Sequence, residues 1–559
     1  MKTALLLIGA LAVLGLVVHC ARSSSRLPSQ RVRSIRMRLH LRRHPGRGFA
    51  SSFELWWRWG RLAAFRQSRR SRPGLSFWQR VRRPGAYSVF CGRCQRRAGI
   101  RMAIQEHLVI LGPPRGYKSG FLSRVVVTYP GPVVTATTKP DLFQLTSGVR
   151  WRRGRYPVHV FNPQRLANLP STLRWDPVAG CQDEATAWRR ALAFCESAKP
   201  KGTNNDEFWM DQATTLLRAL LCAAALDGHD LRMVSYWVLS GETQPAEKIL
   251  TDHRRLTWAA TVAKMRLSKA EKTTDTVRLV LIAALSFMGD PAMAECVLPA
   301  GNEAFDIRAF LRQRGTLYLI GEQRGESSPI APLFAALVAE IHWEATQLGS
   351  TMRGTRLDPP LGLVLDEVTQ IVPVPLPSIL ADSGGRGIEI FAGCHGVAQL
   401  KARWGEHGAR SVLDTANLLL VPGVSDPDTL EMVSRLCGEA SYTEDDKRVR
   451  CPVAPPEVVN QLPPRFGLLK RTFNSPVLPR LPAGWRHWRY LLARLAGTDM
   501  APLVPVASAA GDKFVPLADL VGQAVLEDEL AAAGAVNRHD ANGHGANGHP
   551  GEPFPWESQ

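Results

Sequence analysis

The chain has 559 residues, 45% of them hydrophobic and 21% charged, which is more than one core ordinarily serves and excludes a disordered or fibrous protein. Its net charge of +21 lies almost wholly in one stretch, because residues 22 to 105 hold 22 Arg, no Lys and a single acid, Glu54, leaving the rest close to neutral. A nucleic-acid surface spread over the whole protein is thereby excluded, and electrostatic attraction to polyanions is confined to a basic collar.

In chain order, the first feature is Ala4 to Val18, an unbroken run of apolar residues and Gly behind Met1-Lys2-Thr3. A bilayer core takes about 20 helical residues, so the run is short, and a cleaved signal peptide is the alternative to an anchor. The arginines directly downstream oppose export and favour a membrane anchor over residues 1–21 with the body in the cytoplasm. Cys20 follows His19, which argues against a lipid-anchor site. Residues 22–86 form an Arg-rich juxtamembrane segment in which Trp56, Trp57, Trp59 and Trp78 alternate with arginines. That mixture suits membrane lipids with anionic headgroups, and stacking on single-stranded nucleic acid is the other reading. Cys91-Gly-Arg-Cys94 has the spacing of half a zinc site, but no second pair accompanies it, which favours a turn.

Regular structure is expected from near Tyr87. Leu108 to Leu111 reads as a buried strand, Gly120 to Val127 as a helix, and Gly131-Pro-Val-Val-Thr-Ala-Thr-Thr and Val158 to Phe161 as further strands. Strand, loop, helix, strand opens a parallel α/β sheet. Helical spacing takes over from about Asp183 to Phe287, as in Trp209, Ala213, Leu216, Leu217, Leu220 and Leu221, and predicts an all-α insertion over 181–299. Strands return at Thr316–Ile320, Leu363–Leu365, Ile388–Phe391, Leu418–Val421 and Gly467–Lys470, so that 87–180 and 300–487 together make one nucleotide-binding domain. Residues 488–559 form a tail, low in complexity and expected to be partly disordered from Asn537 to Gly551.

Two stretches carry the chemistry. Gly112-Pro113-Pro114-Arg115-Gly116-Tyr117-Lys118-Ser119-Gly120 follows a strand and opens a helix, with Gly112, Lys118 and Ser119 at the first, seventh and eighth places of a phosphate loop. Such a loop works because backbone N–H groups at a helix N-terminus converge on anionic oxygens, its Lys reaches the β and γ phosphates, and its hydroxyl ligates Mg²⁺. Tyr117 stands where glycine is usual and Gly116 comes one place early, so Gly116 is expected to absorb the difficult torsion. The second stretch, Gly362-Leu-Val-Leu365, delivers Asp366 and Glu367 to a strand end, Asp366 for the Mg²⁺ shell and Glu367 to orient or deprotonate water. The chemistry therefore predicts hydrolysis of a nucleoside triphosphate with Mg²⁺, with Tyr117 the feature that puts hydrolysis in question.

The run LGLVLDEVTQIVPVPLPSILADSGGRG from Leu361 to Gly387 resembles the segment around the acidic motif of the type IV secretion coupling proteins of TraG type, the ATPases of conjugative DNA transfer. Gly131 to Asp141, Ala398 to Gly405 and Val424 to Glu431 are similar to the same family, over about residues 90 to 480, and the Arg-rich composition is similar to actinobacterial members. The resemblance implies an α/β, RecA-like P-loop NTPase with an all-α insertion and an N-terminal transmembrane helix, single-pass in the bacterial inner membrane. It implies a homo-hexamer that recruits DNA, single- or double-stranded, through a relaxase or relaxosome proteins and passes it to a type IV secretion channel. ATP would then lie between subunits, where Arg386 is the candidate for a neighbour's catalytic arginine, while His395 and Gln399 take the place of γ-phosphate sensors. Two other readings remain open: a non-hydrolysing nucleotide-binding receptor for relaxosome proteins, and a DNA translocase of FtsK type, which would usually bring several membrane spans and a winged-helix module.

Overall fold

The computed structural model describes residues 48–503 apart from 95–97, 199–205, 268–270, 299–303, 323–327, 445–446 and 499. The expected anchor over 1–21 with Cys20, residues 22–47 of the basic collar and the tail from residue 504 on lie outside the described residues. Among the described residues, no helix is long and apolar enough to cross a membrane.

Order begins earlier than the arginine content suggests. α1 (Ser52–Glu54) runs into a wider turn, Leu55–Trp59, and is followed by α2 (Arg61–Ser71) and α3 (Phe77–Arg82). Charge hid an apolar face here: Leu55, Trp59, Ala63 and Ala64 are buried, so Trp59 is not available to a lipid headgroup, whereas Phe53, Trp56, Trp57, Phe77 and Trp78 are exposed. Polar clamps fix these helices to the body. Arg72 Nε donates to Asp358 Oδ1 at 2.5 Å in a buried pair, Gly74 N–H donates to Asp358 Oδ2 at 2.9 Å, and Ser475 N–H donates to Glu54 Oε1 at 2.9 Å.

A hairpin not apparent from the sequence comes next, β1 (Ser88–Arg93) against β2 (Gly99–Ala103), with Cys91 and Cys94 buried in its apolar side. Then the main sheet starts: β3 (Leu108–Leu111), α4 (Lys118–Thr128), β4 (Val133–Thr137), α5 (Asp141–Arg152) and β5 (Val158–Phe161). The helical stretch follows as α6 (Glu184–Ser197), α7 (Asp206–Leu226), α8 (Leu231–Ser240), α9 (Gln244–Asp252), α10 (Leu256–Arg266), α11 (Glu271–Ala284) and α12 (Pro291–Glu295). The chain re-enters the sheet through α13 (Ile307–Arg312), β6 (Thr316–Ile320), α14 (Ala331–Ser350), β7 (Leu361–Leu365), α15 (Leu376–Arg386), β8 (Ile388–Cys394), α16 (Val397–Thr415) and β9 (Asn417–Leu420). It ends in α17 (Pro427–Cys437), a second hairpin of β10 (Glu439–Glu444) and β11 (Lys447–Pro452), α18 (Pro456–Val459), β12 (Leu468–Lys470) and α19 (Trp488–Leu495).

The eight-stranded sheet has the order β12-β9-β3-β8-β7-β4-β6-β5, parallel throughout except for β12, which runs antiparallel along β9. Helices cover both faces of the parallel strands, which is why these read as continuous apolar runs and not as alternating ones. Every residue of β3, β4, β6, β7, β8 and β9 is buried. The helical stretch joins the same core through α14, where Arg190 Nη2 donates to Glu340 Oε1 at 3.1 Å and the Arg189 guanidinium lies 3.6 Å from the centre of the Trp343 ring. Arg150 is fully buried in α5 and satisfied by Thr316 Oγ1 at 2.7 Å and by the Tyr129 and Gly131 carbonyls, both at 2.8 Å, which ties α5 to the start of β4 and to β6.

Glu389 is a carboxyl buried without a countercharge. It lies fully buried in β8 beside the Tyr129 hydroxyl, and burial raises its pKa well above the ordinary 4.5. Above that pH the unfolded chain releases this proton while the folded one keeps it, so the group costs stability as pH rises. Glu389→Gln should therefore lose less stability than wild type between pH 5 and pH 8 in urea unfolding. Parallel pH profiles for the two proteins would contradict the assignment.

Candidate active site

The sheet topology makes one edge chemical. The strands β3, β7 and β8 lie side by side and end in Gly112, Asp366 and His395, so the phosphate-loop sequence and the acids meet although 250 residues separate them. Lys118, the first residue of α4, ion-pairs with Glu367 Oε1 and stands 3.4 Å from Asp366 Oδ1. Ser119 Oγ–H donates to Asp366 Oδ2 at 3.4 Å. Lys118, Asp366 and Glu367 are all buried.

His395 completes the group. Its Nδ1 is 3.3 Å from the Gly112 carbonyl oxygen, its Nε2 is 3.3 Å from Glu367 Oε2, and its backbone N–H donates to Gln399 Oε1 at 2.9 Å. A carbonyl only accepts, so Nδ1 is the donor in the contact with Gly112, and Nε2 faces the Glu367 carboxylate. Gln399 acts on the backbone of His395 and so fixes the loop after β8. Arg386 is not in this group: it ends α15 ahead of β8, at the opposite edge of the sheet, ion-paired with Asp382 and partly exposed.

Electrostatics follow from burial among like and unlike charges. Burial works to lower the Lys118 pKa, but the Asp366 and Glu367 charges outweigh it and hold the ammonium above its ordinary range. Burial pushes the Glu367 carboxyl up against the pull of Lys118, and the Asp366 charge adds to the rise. Two residues without an assigned role on sequence stand beside the acids. Asp141, at the start of α5, has its pKa raised by burial and by the Asp366 charge, and the buried Cys394 thiol is pushed up to about 12. Asp141 lay within the sequence stretch after the loop; nothing marked Cys394.

The loop itself corrects one expectation. Gly116 does not take the left-handed torsion; Arg115 at φ 65° and Tyr117 at φ 78° do, with Tyr117 as the residue capping α4. For a side chain other than glycine this conformation costs roughly 1–2 kcal/mol. Glycine at 116 answers a different need, since a Cβ there would lie 2.7 Å from the Pro422 carbonyl oxygen and 3.0 Å from that of Pro113. Gly112 is similarly pressed, its Cβ position being 2.0 Å from Val421 Cγ2. Pro114 and Arg115 are exposed, and the Tyr117 ring turns away from Lys118 onto Trp485, 5.9 Å centre to centre at 69°. Behind the loop, the amides of Lys118, Ser119 and Gly120 open the helix and have no intrahelical acceptor.

The donor set suits a hard divalent cation. Ser119 Oγ and Asp366 supply oxygen ligands, and Asp366 Oδ1 and Glu367 Oε2 are buried without a hydrogen-bond donor. No cluster of three or more His, Cys, Asp or Glu placed to hold a metal occurs among the described residues. Mg²⁺ does not need one, because it is commonly held by one or two carboxylates together with phosphate oxygens.

Comparison with known proteins bears on this geometry. The family described as the TraM recognition site of TraD and TraG matches residues 360–451, from β7 through β11. VirD4 of Rhizobium rhizogenes is 22% identical over 395 residues, covering 68% of this chain and 56% of that protein. The type IV secretion system-coupling protein VirD4 of Bartonella quintana is 23% identical over 357 residues, covering 60% and 53%. The likenesses converge on the type IV secretion coupling proteins. Among solved structures, the bacterial conjugative coupling protein TrwB matches with a TM-score of 0.54 at 20% identity, over 68% of this chain and 87% of that one. TrwB in complex with ADP and Mg²⁺ matches at 0.53 and 20%, over the same shares. The mixed α/β fold with its parallel sheet thus matches the RecA-like fold of TrwB. The chain spans about half the length of the VirD4 coupling proteins it matches.

Gly116→Ala tests the loop packing. The methyl group meets two backbone oxygens that cannot rotate away, so a loss of roughly 1–3 kcal/mol is expected in chemical denaturation. Gly385→Ala, in a helix and with nothing within 4 Å of its Cβ position, should be neutral or slightly stabilising. Equal effects at the two positions would show that the contacts around Gly116 do not matter.

Proposed function

We propose that this chain is a membrane-anchored coupling-protein ATPase that recruits DNA or a nucleoprotein and drives its transfer through a conjugative type IV secretion channel. The observation that carries this reading is the meeting of Lys118, Ser119, Asp366, Glu367 and His395 at one sheet edge. ATP is the substrate. Ser119 and Asp366 would hold Mg²⁺, which when bound would supply charge neutralisation on the phosphate oxygens. The amides of residues 112 to 120 and the Lys118 ammonium bind the phosphates. Glu367, its carboxyl raised in pKa by burial and facing His395 Nε2, accepts a proton from the attacking water. His395 and Gln399 then report the state of that edge to α16.

In this reading the nucleotide-binding domain comprises 87–180 and 300–487, the insertion 181–299 contacts cargo, and the tail is 488–559. Residues 1–21 anchor the chain as a single pass in the bacterial inner membrane. The exposed Phe53, Trp56, Trp57, Phe77 and Trp78, among arginines with no exposed acid, support lipid contact by the collar. The working form is a homo-hexamer in which Arg386, remote from its own subunit's acids, serves a neighbour's nucleotide; relaxosome proteins are the docking partners. A second reading, a receptor that binds nucleotide without hydrolysing it, is favoured by the strained Tyr117 in the loop.

ATP hydrolysis by the full chain, with and without DNA, separates the two. Wild type should turn ATP over, and Lys118→Ala and Glu367→Gln should each lose about 100-fold or more. A wild type that is silent while Tyr117→Gly hydrolyses would instead establish the receptor.

A further inference from the structure

The phosphate loop has two sides, and they differ in kind. On the β8 and β7 side stand the acids and His395. On the other side lies β9, continuing into Val421-Pro422-Gly423, and beyond it β12, whose first residue, Leu468, pairs with Leu420 at the same edge. The chain reaches this edge twice more: Leu481 N–H donates to the Arg465 carbonyl at 2.7 Å, and Gly484 N–H donates to Ser123 Oγ at 3.0 Å. These crossings bring Arg465 and Trp485 onto the first turn of α4.

There they meet Tyr117. The Tyr117 and Trp485 rings stand at 69° to one another and form a half-buried aromatic corner, and the Arg465 guanidinium lies 5.7 Å from the centre of the Tyr117 ring. The floor is Gly120, whose Cβ position is 2.9 Å from Trp485 Cη2 and 3.4 Å from Tyr117 Cε1. Tyr117 Oη and Arg465 Nε are buried, yet neither has a hydrogen-bond partner in the protein. A corner with two aromatic faces, two unspent polar atoms and a glycine floor is unusual inside a folded body, where such groups are normally satisfied.

We infer that this corner of Tyr117, Trp485 and Arg465 holds the base of the nucleoside triphosphate, Trp485 stacking on it, Tyr117 meeting it edge-on and Arg465 addressing its polar edge. The inference rests on the nucleotide reading above and extends it to the nucleoside. Its geometry follows from the sheet order. With the terminal phosphate drawn toward Lys118 and the acids, the other end of the ligand leaves the loop on the β9 side, where the absence of a side chain at Gly120 lets the two rings sit close against α4. It also accounts for a bulky residue retaining the left-handed torsion at 117: the same conformation that is strained in the backbone aims the ring at Trp485.

The test compares MgATP with magnesium tripolyphosphate, which has the same phosphate chain and no base, by calorimetry on the full chain. Trp485→Leu, which keeps an apolar side chain, should weaken ATP roughly tenfold while leaving tripolyphosphate within about twofold, as expected for loss of one stacking face. Trp485→Phe should retain ATP binding, which separates stacking from mere disturbance of the fold. Lys118→Ala should weaken both ligands. Trp485→Leu weakening both ligands alike, or leaving ATP unchanged, overturns the assignment of the base. Failure of wild type to bind either ligand removes the nucleotide reading itself.

Discussion

The site depends on one electrostatic arrangement: a lysine at the opening of a helix set against two adjacent carboxylates at the end of a strand two places away in the sheet. None of the three is cheap to bury alone. Together they compensate, because the acids hold the ammonium charged and the ammonium restrains the rise of Glu367. The parallel sheet makes this possible. It brings the C-terminal ends of β3, β7 and β8 to one edge, where helix N-termini also open, so positive backbone dipoles and negative side chains share a small volume.

Around that arrangement the chain is tied in ways that do not themselves carry chemistry. Buried arginines recur as fasteners: Arg150 gathers carbonyls from the turn into β4, Arg190 joins the helical stretch to α14, and Arg72 joins the basic collar to Asp358. Guanidinium suits this role, having five donors in a fixed plane and a charge that survives burial. The composition that suggested a polyanion-binding collar therefore also contains structural arginines, and the two uses are distinguished only by which way each side chain points.

Much of the sheet was legible. Leu108–Leu111 and Thr316–Ile320 are strands with the expected limits, because a strand buried on both faces is written as an apolar run, and Val158–Phe161 at the sheet edge has its expected limits with its first two residues half-buried. The convergence of Lys118 with Asp366 was legible too, since both motifs sit at strand ends. Three things were not. The helices from Ser52 to Arg82 were obscured because their apolar face is narrow and interrupted by arginines. The β1–β2 hairpin bends at Gly92, where the register shifts and breaks the alternation that would have marked it. The torsion at Tyr117 could not be read because Gly116 looks like the natural place for it; its glycine is instead required by Pro422 and Pro113, which only the folded chain brings close.

Asp358, which holds Arg72 of the collar, is followed by Pro359 and Pro360 and then by β7, the strand that ends in Asp366 and Glu367. Eight peptide bonds, five of their residues in a fully buried strand, are thus all that separate the fastening of the basic helices from the carboxylates. Such a strut is stiff along its axis and gives little room for slack. The fastening of the collar and the acid pair thus share one short segment of backbone.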